Sequence, residues 1–124
     1  MLPDKPEDWP HLFEQRLNVG DLDAVMELYE REARFTNRSG ETLVGRDEIR
    51  KVIGAMIDGK TRLRSRVVRA VTVGDIAQVY TDFEGTTVDR SKKPVPVENK
   101  AIEVLRRQPD GIWKLIIGDP NARE

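Results

Sequence analysis

Residues 20–53, GDLDAVMELYEREARFTNRSGETLVGRDEIRKVI, carry the change of rhythm that decides the fold. Asp21 is a good helix N-cap, and Leu22, Val25, Met26, Leu28 and Tyr29 behind it fill one face at helical spacing, which predicts a helix running to about Glu30. Ala33 to Asn37 then reads as a short strand, Ser39 and Gly40 as a turn, and Thr42 to Val44 as a second short strand, together a small hairpin. After Gly45, Asp47 and Glu48 open another helix, whose Ile49, Val52, Ile53, Met56 and Ile57 form a continuous apolar stripe before Gly59 stops it.

Outward from this stretch the two ends differ. Upstream, Pro6, Glu7 and Asp8 suit a helix start, and Trp9, Leu12, Phe13 and Leu17 make its stripe, so a first helix is predicted over residues 6–19. Downstream the period becomes two, with β-rich runs at Leu63 to Val73, Ile76 to Val88, Val97 to Arg107 and Ile112 to Gly118. Gly74 and Asp75 join the first two of these runs, and Pro109, Asp110 and Gly111 the last two, so both pairs are predicted to be antiparallel hairpins. Asp89 to Pro96 reads as a longer loop lying over an opening. Helices first and a meander after them is an α+β pattern, in which a bent sheet wraps the helices and buries one face.

The chain of 124 residues is sized for one domain, residues 1–124, and has no internal repeat. Its 21 basic and 22 acidic residues are interspersed, which argues against a nucleic-acid or anionic-membrane footprint. The absence of cysteine removes disulfides, thiol nucleophiles and thiolate metal sites, and a lone histidine, His11, excludes a multi-histidine centre, so neither metal nor cofactor is expected. MLPDKPEDWP at the start has prolines and acids where an export signal needs an apolar run, and a cytoplasmic location is the expectation.

The Gly20–Ile53 stretch, taken with IEVLRRQPDGIWKLIIGDP at Ile102 to Pro120, resembles the SnoaL-like and ketosteroid-isomerase-like families of the superfamily named after nuclear transport factor 2. The GDLD helix start, the G-x-x-x-x-G-R-D-E-I-R segment and the R-R-x-x-D-G-x-W hairpin carry that resemblance over nearly the whole chain. It implies three N-terminal helices packed in a strongly curved antiparallel sheet, a cone-shaped α+β barrel of cystatin-like fold with a pocket inside. It also implies a homodimer formed through the outer sheet surface.

The same resemblance places the family's proton-abstracting carboxylate at Asn37 and its tyrosine donor at Phe13, neither of which carries the required group. Only the buried acid has a counterpart, Glu103. Isomerase chemistry in that form is therefore not expected. Other acids remain as catalytic candidates. Asp82 shares strand parity with Tyr80 and Glu84, and Asp119 stands where the last strand ends, a position at which SnoaL-like sequences often carry an acid. Alternation does not say which face is inside. On the outer face Tyr80, Asp82 and Glu84 are solvated, and the arginines at Arg62, Arg64 and Arg66 become their cross-strand partners, which is the simpler reading. Asp119 has a plainer role too, as a turn former before proline.

The function expected first is binding of a small apolar molecule, with Phe13, Asn37, Met56, Tyr80 and Trp113 as candidate ligand contacts and Glu103 orienting a polar group. An isomerase, dehydratase or cyclase-type enzyme using Glu103, Asp82 or Asp119 as general acid or base is the alternative. A third is a dimerisation module with a filled interior.

Overall fold

The computed structural model describes residues 2–124. Helices α1 (Asp8–Asn18) and α2 (Leu22–Met26) precede the hairpin of β1 (Tyr29–Thr36) and β2 (Thr42–Val44). Helix α3 (Arg46–Asp58) follows, and then four long strands, β3 (Arg62–Val73), β4 (Ile76–Val88), β5 (Pro94–Arg107) and β6 (Trp113–Asp119). All six strands form one sheet in the order β2-β1-β6-β5-β4-β3. The fold is the expected α+β arrangement, with two corrections to the sheet. It is not closed into a barrel, since β2 and β3 remain its two edges, and it is not wholly antiparallel, since β1 runs parallel to β6.

Two boundaries also differ from the sequence reading. The second helix ends at Met26, and Tyr29 already belongs to β1. The carbonyl of Leu28 accepts the backbone N–H of Leu115 at 2.9 Å and the indole N–H of Trp9 at 2.8 Å, bonds to other elements that a continuing helix would have used internally. Strand β5 begins at Pro94, so the expected loop over 89–96 shrinks to a tight connection. Prolines 94 and 96 are tolerated because β6 pairs only with Ile102–Arg107, which leaves the first half of β5 with one open edge where a missing N–H breaks no ladder bond.

The inner face is set by strand parity. Ala77, Val79, Thr81 and Phe83 of β4 and Ala101, Glu103 and Leu105 of β5 are buried, and they meet Trp9, Leu12, Phe13 and Leu17 of α1 and Ile49 and Ile53 of α3. Helix α1 also covers part of the β3 edge. The Asn18 amide donates to Leu63 O at 2.8 Å and its Oδ1 accepts the Leu63 N–H at 2.9 Å, while Glu14 accepts from the backbone N–H and hydroxyl of Ser65. His11 Nδ1 stands 2.8 Å from the same hydroxyl. Side chains thus replace a missing neighbour strand along Leu63–Ser65. No helix among the described residues is long and apolar enough to cross a membrane.

Curvature has identifiable sources. The ladders slip register between Val67 and Arg69, between Val104 and Leu105, and between Tyr29 and Arg34. At Gly85 the backbones of β3 and β4 approach so closely that an added Cβ would overlap the carbonyl oxygen of Arg62. Gly85→Ala should therefore lower the unfolding free energy by about 2–3 kcal/mol, an overpacking cost that no rotamer relieves. Gly54→Ala in α3, where the new methyl meets only a Leu22 methyl at 3.8 Å, should raise it by about 0.5–1 kcal/mol through helix propensity. Urea denaturation of both variants checks the pair, and equal effects would contradict the close approach at Gly85.

Candidate functional site

Between the inner face and the helices lies a cavity of about 140 Å³. Its walls are mostly aromatic and aliphatic: Trp9 and Phe13 from α1, Phe83 from β4, Ile53 and Met56 from α3, and Leu115 from β6 among them. Trp9 and Phe13 stack with centroids 5.4 Å apart, Phe13 meets Phe83 edge-on at 5.8 Å, and Trp9 meets Tyr29 edge-on at 5.6 Å. With its indole N–H already donated to Leu28, Trp9 presents only an apolar ring to the space.

Glu103 is the one carboxylate on these walls. On β5 it faces inward between Val79 of β4 and Gly118 of β6, and the Leu115 side chain packs over the Gly118 backbone. Thr81 Oγ1 donates to Glu103 Oε1 at 2.7 Å. Burial in this apolar setting pushes the carboxyl up to about 8; the Thr81 hydrogen bond and the Arg123 charge pull the other way and do not offset it. At neutral pH Glu103 is accordingly held mainly as the acid, a donor rather than an anion.

Tyr29, at the start of β1, supplies a second polar group. It is buried and it lines the cavity. Burial and the nearby Glu103 charge both raise its pKa, so it stays a phenol and a potential donor. Asn99, on the same face of β5 as Glu103, adds an amide at the rim. The arrangement can hold an oxygen-bearing molecule against two protonated groups in an otherwise apolar chamber.

The candidates from the sequence divide. Glu103, Phe13 and Met56 come together on the cavity. Tyr80 and Asp82 do not, because inward parity on β4 belongs to Val79, Thr81 and Phe83. Asp82 instead binds Arg66 at 2.6 Å and Arg123 at 2.8 Å, and Arg64 pairs with Glu84 at 2.6 Å, the cross-strand pairs of the simpler reading. Tyr80 lies under the Arg69 guanidinium, 4.3 Å from the ring centroid. Asp119 pairs in register with Ile102 on that outer face and caps the following turn through the Asn121 N–H. Asn37 closes the β1–β2 hairpin, its Oδ1 accepting from the backbone of Ser39 and Glu41 and from the Ser39 hydroxyl. Trp113 is buried but does not line the cavity. Sequence reasoning missed Tyr29, Phe35, Phe83 and Asn99. The parity of β5 carries Asn99 with Glu103, whereas Phe35 and Phe83 stand on strands whose inward face is set only by register with distant partners, and Tyr29 has the spacing of a helix that stops short of it.

With this geometry in view, the family model described as SnoaL-like domain matches residues 11–116. The chain belongs to the SnoaL-like domain family. No curated protein matches it. Solved structures similar to this SnoaL-like domain include a ketosteroid isomerase-like protein from Erwinia carotovora atroseptica, with TM-score 0.79 and 20% identity over 91% of this chain and 89% of that one. A protein with a cystatin-like fold from Caulobacter vibrioides gives 0.78 and 14% over 93% and 84%. A candidate dehydratase of the nuclear transport factor 2-like family from Streptomyces avermitilis gives 0.74 and 18% over 90% and 88%. Identities this low speak for the shared fold and not for a shared reaction.

The raised Glu103 pKa fixes a sign for stability. Between the ordinary carboxyl value of 4.5 and about 8 the folded SnoaL-like domain keeps a proton that the unfolded chain releases, so stability falls as pH rises through that window. Each unit of pH in that range costs about 1.4 kcal/mol. Glu103→Gln should flatten the slope, gaining stability relative to the parent from pH 5 to pH 8 in urea denaturation. Parallel pH profiles for the two proteins would contradict a buried neutral acid.

Proposed function

We propose that this domain binds a small, mostly apolar molecule of about one ring, carrying an oxygen that accepts hydrogen bonds from Glu103 and Tyr29. The observation that carries this reading is the presence of Glu103 and Tyr29, both with raised pKa, on the wall of a chamber lined mainly by carbon, with the Asn99 amide at its rim. Size supports it as well, since the cavity of about 140 Å³ is close to the ~150 Å³ engineered apolar cavity that takes up benzene. Phe13 and Met56 serve as apolar contacts. A thermal-shift panel of phenol, cyclohex-2-enone and toluene tests the reading. At equal concentration phenol and the enone should stabilise the protein more than toluene, reaching about 2.7 kcal/mol over the unliganded protein at 100 times their Kd. Glu103→Leu should erase the preference for oxygen, while Glu103→Gln, whose amide still donates, should keep most of it. No stabilisation by any of the three would contradict the proposal.

A second reading, acid–base catalysis, is favoured by the position of the Glu103 pKa near 8, where a carboxyl exchanges protons readily at working pH. Binding ranks ahead of it because one carboxyl would have to act as donor and base in turn, with no second carboxylate on the walls. Under the catalytic reading the protein would speed deuterium exchange beside the carbonyl of cyclohex-2-enone, and Glu103→Gln would abolish the effect.

Pairing of two copies through the outer sheet face belongs to the same proposal. Val71, Val73, Ile76 and Ile117 are exposed on that side at 49%, 76%, 39% and 45%, and Tyr80, Ile102 and Val104 lie among them half-buried. Sedimentation equilibrium should give the mass of two chains for the parent and of one chain for Ile117→Lys. A one-chain mass for the parent at millimolar concentration would contradict the pairing.

A further inference from the structure

Four cavity-lining side chains keep partial exposure, Phe35, Met56, Asn99 and Pro120, and so mark its mouth. Two of these meet at one place in the fold. Strand β6 stops at Asp119 beside Ile102, and the residues after it run along the edge of β5 that β6 leaves open. There the Arg123 N–H donates to Lys100 O at 3.1 Å, and Asn99 Nδ2 donates to Asn121 Oδ1 at 3.3 Å. Pro120, at the head of this segment, forms part of the cavity wall.

The fastening is almost wholly polar. The Arg123 side chain folds onto the outer sheet face, where Nη2 donates to Asp82 Oδ1 at 2.8 Å and to the carbonyls of Thr81 and Ala101 at 3.1 and 3.2 Å. None of residues 120–124 is fully buried. Asp82 also holds Arg66 at 2.6 Å and Lys100 at 3.9 Å, so the departure of Arg123 would leave its charge paired. Contacts of this kind exchange for water at modest cost, whereas the aromatic wall opposite opens only with the core.

We propose that segment 120–124, pinned by Arg123, is the wall that sets how large a ligand the cavity admits: held, it limits the chamber to a single ring, and released, it admits a fused two-ring molecule. This rests on the ligand-binding reading of the cavity, and Arg123 is then a specificity-determining residue that never touches the ligand.

The test has one arm that needs no ligand. The chain contains no cysteine, so Ile53→Cys places a lone, buried thiol on the cavity wall and Val25→Cys places one in the core away from it, as a reporter of global unfolding. Adding Arg123→Gln, or separately Asn121→Ala, should speed labelling of Cys at position 53 by Ellman's reagent about tenfold while leaving the position-25 rate unchanged. In the second arm, 2-naphthol affinity relative to phenol should rise about tenfold in Arg123→Gln. Unchanged labelling at position 53 in both variants overturns the wall, whatever the ligands do. Faster labelling with no phenol or naphthol binding in any protein leaves the wall standing and removes the binding reading. If Arg123→Gln speeds labelling at both positions, the Asn121→Ala pair decides, since it removes only the Asn99 contact.

Discussion

The interaction on which the rest depends is the burial of Glu103 at the centre of a concave apolar sheet face. A carboxylate there would lose its hydration with only the Thr81 hydroxyl in return, so the group keeps its proton instead of its charge. Everything proposed for the cavity follows from that exchange. A neutral acid donates a hydrogen bond, tolerates apolar neighbours and sits near its titration point at working pH, three properties that an exposed glutamate lacks.

Holding Glu103 in this way requires the sheet to bend. Register slips in three ladders and the near-contact of backbones at Gly85 turn a six-stranded layer into a trough, and the helices enter it without filling it. Tyr29 then brings a phenol from the strand that pairs with β6. The outer face carries a different chemistry. Arginines of β3 meet acids of β4 in register, and Arg123 crosses over to join them, so the two faces of β4 hold the ionic surface and the apolar chamber one peptide apart.

Much of this was legible in the sequence, for reasons that differ by element. The stripes of α1 and α3 and the turn residues at Gly74–Asp75 specify their own structure locally, and the helix, hairpin and strand order followed from them. Glu103 was singled out by the SnoaL-like resemblance, which places the family's buried acid there; alternation with Ile102 and Val104 alone would have turned it toward solvent. What stayed hidden depends on partners distant in sequence. Tyr29 has helical spacing from Met26 and Val25, and only the bonds that Leu115 and Trp9 make to the Leu28 carbonyl turn it into a strand. The inward face of β4 cannot be read from alternation, so Tyr80 and Asp82 were open candidates until the register with β3 and β5 placed them outside. Asn37 and Asp119 are turn formers whose side chains are consumed by nearby backbone N–H groups.

The most direct test of the buried neutral acid is to follow the Glu103 side-chain carboxyl itself, by carbon-13 NMR of the protein labelled at glutamate, with Glu103→Gln identifying the resonance. The account predicts a titration midpoint near pH 8, well apart from the exposed glutamates. A midpoint close to 4.5 would mean that the carboxylate is charged and solvated in the folded protein, and the donor role assigned to it would fall.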